Sequence, residues 1–379
     1  MLNHYAEKYD ESISLLQDGE QGIQDAYTKS VTQAAASYLI NDNTLDYAGE
    51  DYEDIYINVF NALNYYYKGD VDGALVEIRR MNEKLEYLST KYAALTRKLQ
   101  EDAAKDGAAA QAPEFQISKF ANSALGRYLG MLFYRGTGGV DDARIDRDWL
   151  KAAYVNAPEI YNFPLPASVD QELDIPSGKA RLNVIGFGGL SPIKRENVTR
   201  IPIGLDLGEY IKIALPELQY RPSQITRIEV LLDSGESFYL EKLEDMEAVA
   251  RETFKSKISL LTLKTTLRAT VKAVSAKASS DIGASMSDSD DSNVAMVGNI
   301  LKIFGAIGKV SNELSEQADL RASRYFPRTA YVGGVTLEPG VYSFTINYYG
   351  NGDLLASIKK QNVKIDAGRL NLVEAVCLK

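Results

Sequence analysis

Apolar residues in the first part of the chain recur at spacings of three and four. Tyr5, Tyr9, Ile13 and Leu16 mark one face of a helix or helix pair within residues 1–29. A second helical stretch covers 31–40 and ends in the polar run Asn41-Asp42-Asn43-Thr44. A third begins near Gly49-Glu50-Asp51-Tyr52-Glu53-Asp54, where acidic residues suit the positive end of the helix macrodipole. After Pro158 the period changes. Pro164, Pro166 and Pro176 punctuate a connector, and alternation then predicts strands over 181–187, 197–203, 210–215, 225–232 and 237–240. Asp233-Ser234-Gly235-Glu236 predicts a hairpin turn between the last two. Helical period returns over 243–277 and again over 294–320, on either side of a Ser- and Asp-rich loop at 279–293. Strands at 328–337, 341–349, 353–365 and 370–378 close the chain, with turns at Glu338-Pro339-Gly340 and Asn351-Gly352.

Within the helical part, Ala62, Tyr65, Gly69, Asp70, Ala74 and Ile78 fall at the offsets of a tetratricopeptide repeat. Small residues are needed where two antiparallel helices approach, here Ala62 and Ala74, and Gly69-Asp70 supplies the turn. A second copy reads Gly130, Tyr134, Gly138-Gly139, Asp142 and Ala143, followed by Ala152 and Pro158, and Lys8-Tyr9-Asp10-Glu11-Ser12 is a degenerate third. An unrelated helix bundle shares much of this pattern. Residues 101–113 read as a loop. The expected class is α+β: tetratricopeptide-like helical repeats over 1–160, a linker at 161–178, and a β-sandwich-like domain over 179–379. A long helical hairpin at 243–322 interrupts that second domain.

Composition narrows function more than fold. Hydrophobic residues at 45% and charged residues at 25% are those of a soluble globular protein. A net charge of −10 argues against nucleic acid and against electrostatic docking on an anionic membrane. The single cysteine, Cys377, excludes an internal disulfide and a multi-cysteine metal site, and reads as a small buried hydrophobe. The single histidine, His4, is expected in a frayed terminus, so no nucleophile–histidine relay is expected either. Met1-Leu2-Asn3-His4 leads straight into a helix with no visible secretory signal, and a mature secreted protein would read the same.

The chemical motifs are weak. Gly186-Phe187-Gly188-Gly189 is followed by Pro192 and a strand, whereas a phosphate cradle needs a helix N-terminus. Asp288, Asp290 and Ser292 imitate a calcium loop whose Gly and Glu positions hold Asn293 and Asn299. Asp46, Glu50, Asp51, Glu53 and Asp54 read as caps and surface charges, and leave carboxylate chemistry as the one enzymatic reading. The stretch 294–310 is apolar, but Asn299, Lys302 and Lys309 interrupt it short of a membrane span. Its glycines suit close helix packing, and peripheral lipid contact is the alternative. The best repeat presents Tyr56, Val59, Leu63 and Tyr66 where a carboxylate clamp would need Lys and Asn. These four are the candidate protein-binding residues, for a protein partner or another subunit. The simpler reading packs them against a neighbouring helix.

Several runs taken together resemble an uncharacterised bacterial tetratricopeptide-containing envelope lipoprotein family. They are Tyr47-Ala48-Gly49-Glu50-Asp51-Tyr52-Glu53, Ala62-Leu63-Asn64-Tyr65, Val76-Glu77-Ile78-Arg79-Arg80 and Gly188-Gly189-Leu190-Ser191-Pro192-Ile193-Lys194. Glu316-Gln317-Ala318-Asp319-Leu320-Arg321 and Leu337-Glu338-Pro339-Gly340-Val341-Tyr342 continue the likeness, in order, over most of the chain. The resemblance implies a periplasmic, outer-membrane-associated scaffold tethered through a lipid anchor, although this chain shows no lipidation cysteine. It carries over no catalytic residue, cofactor or metal. The expectation is therefore a non-enzymatic scaffold or protein-interaction module of the cell envelope. The alternatives are an assembly factor using 294–310 to contact lipid or oligomerise, and a cytoplasmic location.

Overall fold

The computed structural model describes residues 1–32, 45–105, 118–202, 210–277 and 317–379. Helix α1 (Leu2–Tyr5) leads into α2 (Tyr9–Thr32). Helices α3 (Asp51–Tyr67) and α4 (Val71–Lys105) form one hairpin, and α5 (Ala124–Thr137) and α6 (Val140–Asn156) a second, followed by the single turn α7 (Ser168–Gln171). Strands β1 (Ala180–Gly188), β2 (Ile193–Pro202), β3 (Tyr210–Gln219), β4 (Arg227–Leu232) and β5 (Ser237–Asp245) precede the long α8 (Met246–Lys277). Strands β6 (Thr329–Leu337), β7 (Gly340–Gly350), β8 (Asp353–Ile365) and β9 (Asn371–Cys377) follow. The fold is mixed α/β, and each strand read from alternation is present.

Local chemistry accounts for the helix ends. Glu50 and Glu53 make a reciprocal capping box at the start of α3. Ser123 Oγ accepts from the Gly126 amide, 3.1 Å away, at the start of α5. Gly138 ends α5 at φ 86°, a left-handed conformation that a side chain would strain. Ala62 and Ala74 are fully buried where α3 and α4 cross.

Seven strands form one sheet in the order β8-β7-β4-β5-β6-β1-β9, and its two edges approach so that it is nearly closed. Neighbours are antiparallel except β1 and β9, which run parallel. Strands from both sequence groups therefore interleave in a single sheet that curls on itself. The two-layer sandwich was an extrapolation: alternation shows that one face of each strand is buried, not how the strands are ordered. Leu182, Val184, Val230, Phe344, Ile346 and Val373 are among the side chains that fill the interior. Gly186 makes room there, because a Cβ at that position would lie 2.9 Å from Leu240 Cδ1 and 3.0 Å from Ile228 Cδ1, whose ends would have to shift. Cys377 is buried in the same cluster, as expected.

The outer face of β1 and β6 is covered by helices. Ile185, Phe187, Ala330 and Val332 share one apolar cluster with α3, α4, α5 and α8. One apolar cluster therefore takes residues from both of the expected segments, 1–160 and 179–379. Tyr161, Val169 and Glu172, all within 161–178, are themselves buried. The helix expected from Leu243 begins at Met246, because 243–245 complete β5 beyond a register shift between Lys242 and Glu244. The second arm of the expected hairpin, the acidic loop and the 294–310 stretch fall largely or wholly outside the described residues, as does most of 101–113. Among the described residues β2 and β3 pair only with each other, as a two-stranded ribbon.

Candidate functional site

The four residues expected to line a binding groove are turned inward. Tyr56, Val59 and Leu63 are completely buried. Tyr56 donates its hydroxyl to Glu244 at 2.7 Å, and Tyr66 meets the carbonyl of Leu370 at 3.1 Å and the amide of Leu372 at 3.0 Å. Phe60, on the same helix, packs on Phe187 of β1 with ring centroids 5.2 Å apart. The face that would receive a partner holds the chain's own sheet. The apolar and aromatic character was read correctly, but its occupant comes from within the molecule.

The acidic group at the start of α3 also differs from expectation. Glu50, Asp51 and Glu53 are buried rather than displayed, and Asp46 alone of the five is an exposed ion-pair partner, of Lys29. Glu50 receives Lys194 at 2.6 Å and Lys257 at 2.8 Å; Asp51 receives Lys91 at 2.6 Å. Glu53 accepts from Tyr47 at 2.6 Å and from the Glu50 amide at 3.0 Å. Burial first, and the Glu50 charge second, push its carboxyl above the ordinary range. These contacts tie α3 to α4, α8 and β2. The carboxylate oxygens meet protein donors rather than an open cleft.

Two further carboxylates were missed because nothing in their sequence context marks them. Glu244 sits beyond the β5 irregularity, where the shifted register turns it toward the helices. It is completely buried and accepts from Tyr56, Tyr161, Ser123 and the Leu125 amide at 2.7–3.3 Å. Burial raises its carboxyl above the ordinary range, with those hydrogen bonds acting in opposition. Glu172, just after α7, receives Arg135 at 2.7 Å, Arg181 at 3.0 Å and Asn183 at 2.6 Å.

His4 is not frayed. It is 2% exposed, with Nδ1 2.7 Å from Asn64 Oδ1 and Nε2 2.9 Å from Glu374 Oε1. The Asn64 amide nitrogen is directed to Ser12, so both ring nitrogens face acceptors, an arrangement that favours the imidazolium. Burial lowers the histidine, but the Glu374 charge and the hydrogen bonds outweigh it, and the net direction is up. The rings of Tyr5, Tyr9 and Phe60 complete its surroundings, and the Met1 amino group works against the charge. With the folded value raised, the contribution to stability is complete below the ordinary value of 6.5 and is lost as pH rises through the folded value. The stability difference between the native protein and His4→Ala, measured by urea unfolding, is expected to reach about 1.5–3 kcal/mol near pH 6. It should shrink toward pH 9.5, and a difference that stays constant across that range would contradict the clamp.

No protein-family model matches the chain, and no curated protein or solved structure matches it. Its surfaces must therefore be weighed on their own chemistry.

Among the described residues, a helix face and a cleft stand open to solvent. Helix α6 buries only Ala143, Asp146, Leu150 and Ala153, a stripe about one residue wide. Its outward side carries Val140, Ile145, Val155 and Trp149, the only tryptophan, which is 47% exposed. The Arg127 guanidinium lies 5.5 Å from the centroid of that ring and is itself held by Asn122 and by Asp146, 2.8 Å away. The second feature is a cleft of about 470 Å³ between the β2–β3 ribbon and α8. Among the described residues no three His, Cys, Asp or Glu side chains gather as a metal would need, and no helix is long and apolar enough to cross a membrane.

Proposed function

We propose that the chain is a non-enzymatic scaffold, a protein-interaction module of the bacterial cell envelope that presents α6 to a protein partner. In this reading the two helical hairpins are tetratricopeptide-like repeats, and the curled sheet is a closed form of the expected sandwich-like core. The observation that carries it is the braced, half-exposed Trp149 beside Ile145 on a helix whose outer side the described residues leave uncovered. Tryptophan and arginine dominate binding energy at protein interfaces, and a ring fixed beforehand loses little entropy on docking. The pairing of Glu50, Asp51 and Glu244 with interior partners supports the absence of a catalytic role. The resemblance to envelope lipoproteins supports the compartment.

A photo-reactive side chain at position 145, in cells of the source organism, is expected to give one discrete protein adduct. Trp149→Ala should weaken that partner's binding about 30-fold, as loss of a ~2 kcal/mol anchor does. Circular dichroism should be unchanged, since the ring is half-exposed. Failure to obtain an adduct from exposed positions along α6 would sink the reading.

A further inference from the structure

The cleft between the ribbon and α8 has a chemistry the scaffold reading does not use. Leu215, Leu218, Phe254 and Ile258 give it an apolar lining, with Tyr220 and Arg251 beside them. Its volume lies in the range of ordinary small-molecule sites. Arg251 donates Nε to the Tyr220 hydroxyl at 3.1 Å, and its guanidinium lies 4.9 Å from the centroid of that ring. Of its acidic neighbours, Glu247 is 3.6 Å away, beyond a hydrogen bond, and is already engaged by Arg328 at 3.1 Å, and Asp245 is engaged by Lys242 at 2.7 Å. Glu217 on the ribbon is engaged by Asn197 and Arg195, both at 3.2 Å. Lys255 is held by Glu252 at 2.6 Å. Among the described residues Arg251 is thus the cation in the lining that lacks a carboxylate within hydrogen-bond distance.

Positive charge continues from the cleft. Arg328 also reaches the Arg221 carbonyl, and Arg221 donates only to the carbonyls of Ser191 and Arg324, at 2.7 and 2.8 Å. Burial and the neighbouring Arg324 lower the Arg221 guanidinium from its ordinary value. Arg251 and Arg328 thus both approach the Glu247 carboxylate, and the Arg221 guanidinium beside them feels the charge of Arg324, in a chain whose net charge is −10. An apolar cleft beside a local excess of arginine complements one kind of ligand.

We propose that this cleft binds a single-chain amphiphile with an anionic head, of the long-chain carboxylate class. The tail lies along Leu215, Leu218, Phe254 and Ile258, and the head on Arg251. With Nε committed to Tyr220 and Nη2 only loosely drawn to Glu247 at 3.6 Å, the Arg251 guanidinium keeps donors for a carboxylate head. The site is separate from α6, so it stands or falls independently of the scaffold reading.

Calorimetric titration of the full chain with dodecanoate, below its micelle concentration, tests it. One molecule should bind, at least tenfold more tightly than dodecyltrimethylammonium, which has the same tail and the opposite charge. Acetate, a head without a tail, should show no binding at millimolar concentration. Arg251→Gln and Ile258→Asn, both at solvent-accessible positions, should each weaken dodecanoate about tenfold, and Trp149→Ala should leave it unchanged. Equal binding of the two amphiphiles, or affinity unaltered by both cleft substitutions, would overturn the proposal.

Discussion

Replacing Glu172 by alanine is expected to cost about 3–5 kcal/mol of folding stability, read as a lowered urea midpoint. Glu172 is completely buried between Arg135 of α5 and Arg181 of β1, whose side chains are 11% and 3% exposed. It also accepts from Asn183 at 2.6 Å and from Tyr128 at 3.3 Å. Taking two cations out of water is unfavourable unless a countercharge accompanies them, and alanine would remove the only carboxylate that these two arginines share. The loss should exceed that of an ordinary surface pair, which is about 1 kcal/mol or less. Removing a cation together with the anion should soften the effect, so Glu172→Ala combined with Arg181→Met is expected to be less damaging than the two single changes would sum to. A cost under about 1 kcal/mol for Glu172→Ala would show that the cluster does not hold the sheet to the helices.

The second large effect is expected at Glu244. Alanine there would strand the hydroxyls of Tyr56 and Ser123 and the amide of Leu125, while the Tyr161 hydroxyl keeps the Asn122 carbonyl at 3.1 Å, at a total cost on the order of 3–5 kcal/mol. Glutamine keeps the volume and one acceptor, and should cost less. The pH dependence separates charge from shape. Burial raises the folded carboxyl above its unfolded value of about 4.5, so the folded state binds the proton more tightly. Its contribution is therefore complete below the unfolded value and declines as pH rises through the folded one. The advantage of the native protein over Glu244→Gln should accordingly be larger at about pH 5 than at about pH 8. An advantage that grows with pH would mean that the four donors have overcome desolvation and hold the carboxyl low.

His4 and Glu172 illustrate why such groups escape a reading by pattern. Each has an unremarkable local context, one beside the first residue and one in a proline-punctuated connector. Their partners are remote: Glu374 lies 370 positions from His4, and Arg135 lies 37 from Glu172. The acidic run at α3 was visible as a run, and its capping role followed from position. Its burial did not, because the lysines that compensate it come from α4, β2 and α8. Trp149 drew no expectation from its sequence context, and only the narrow buried stripe of α6 shows that its ring faces outward.

By itself the sequence determined the helices, the strands and the turns between them. These depend on periodicity and on residues such as Gly69, Gly138, Asn351 and Gly352, which act over a few positions and take positive φ in the structure. It also determined that α3 carries an apolar, tyrosine-bearing face. Only the tertiary structure decided what covers that face. Hydrophobic patterning states that a surface must leave water without naming the surface that meets it. The answer depends on β1 pairing parallel to β9, between segments where Arg181 and Asn371 stand 190 residues apart, and on β6 closing against β1. No local preference encodes such a pairing. It follows from burying the inner face of the sheet on itself and, at β1 and β6, the outer face under the helices.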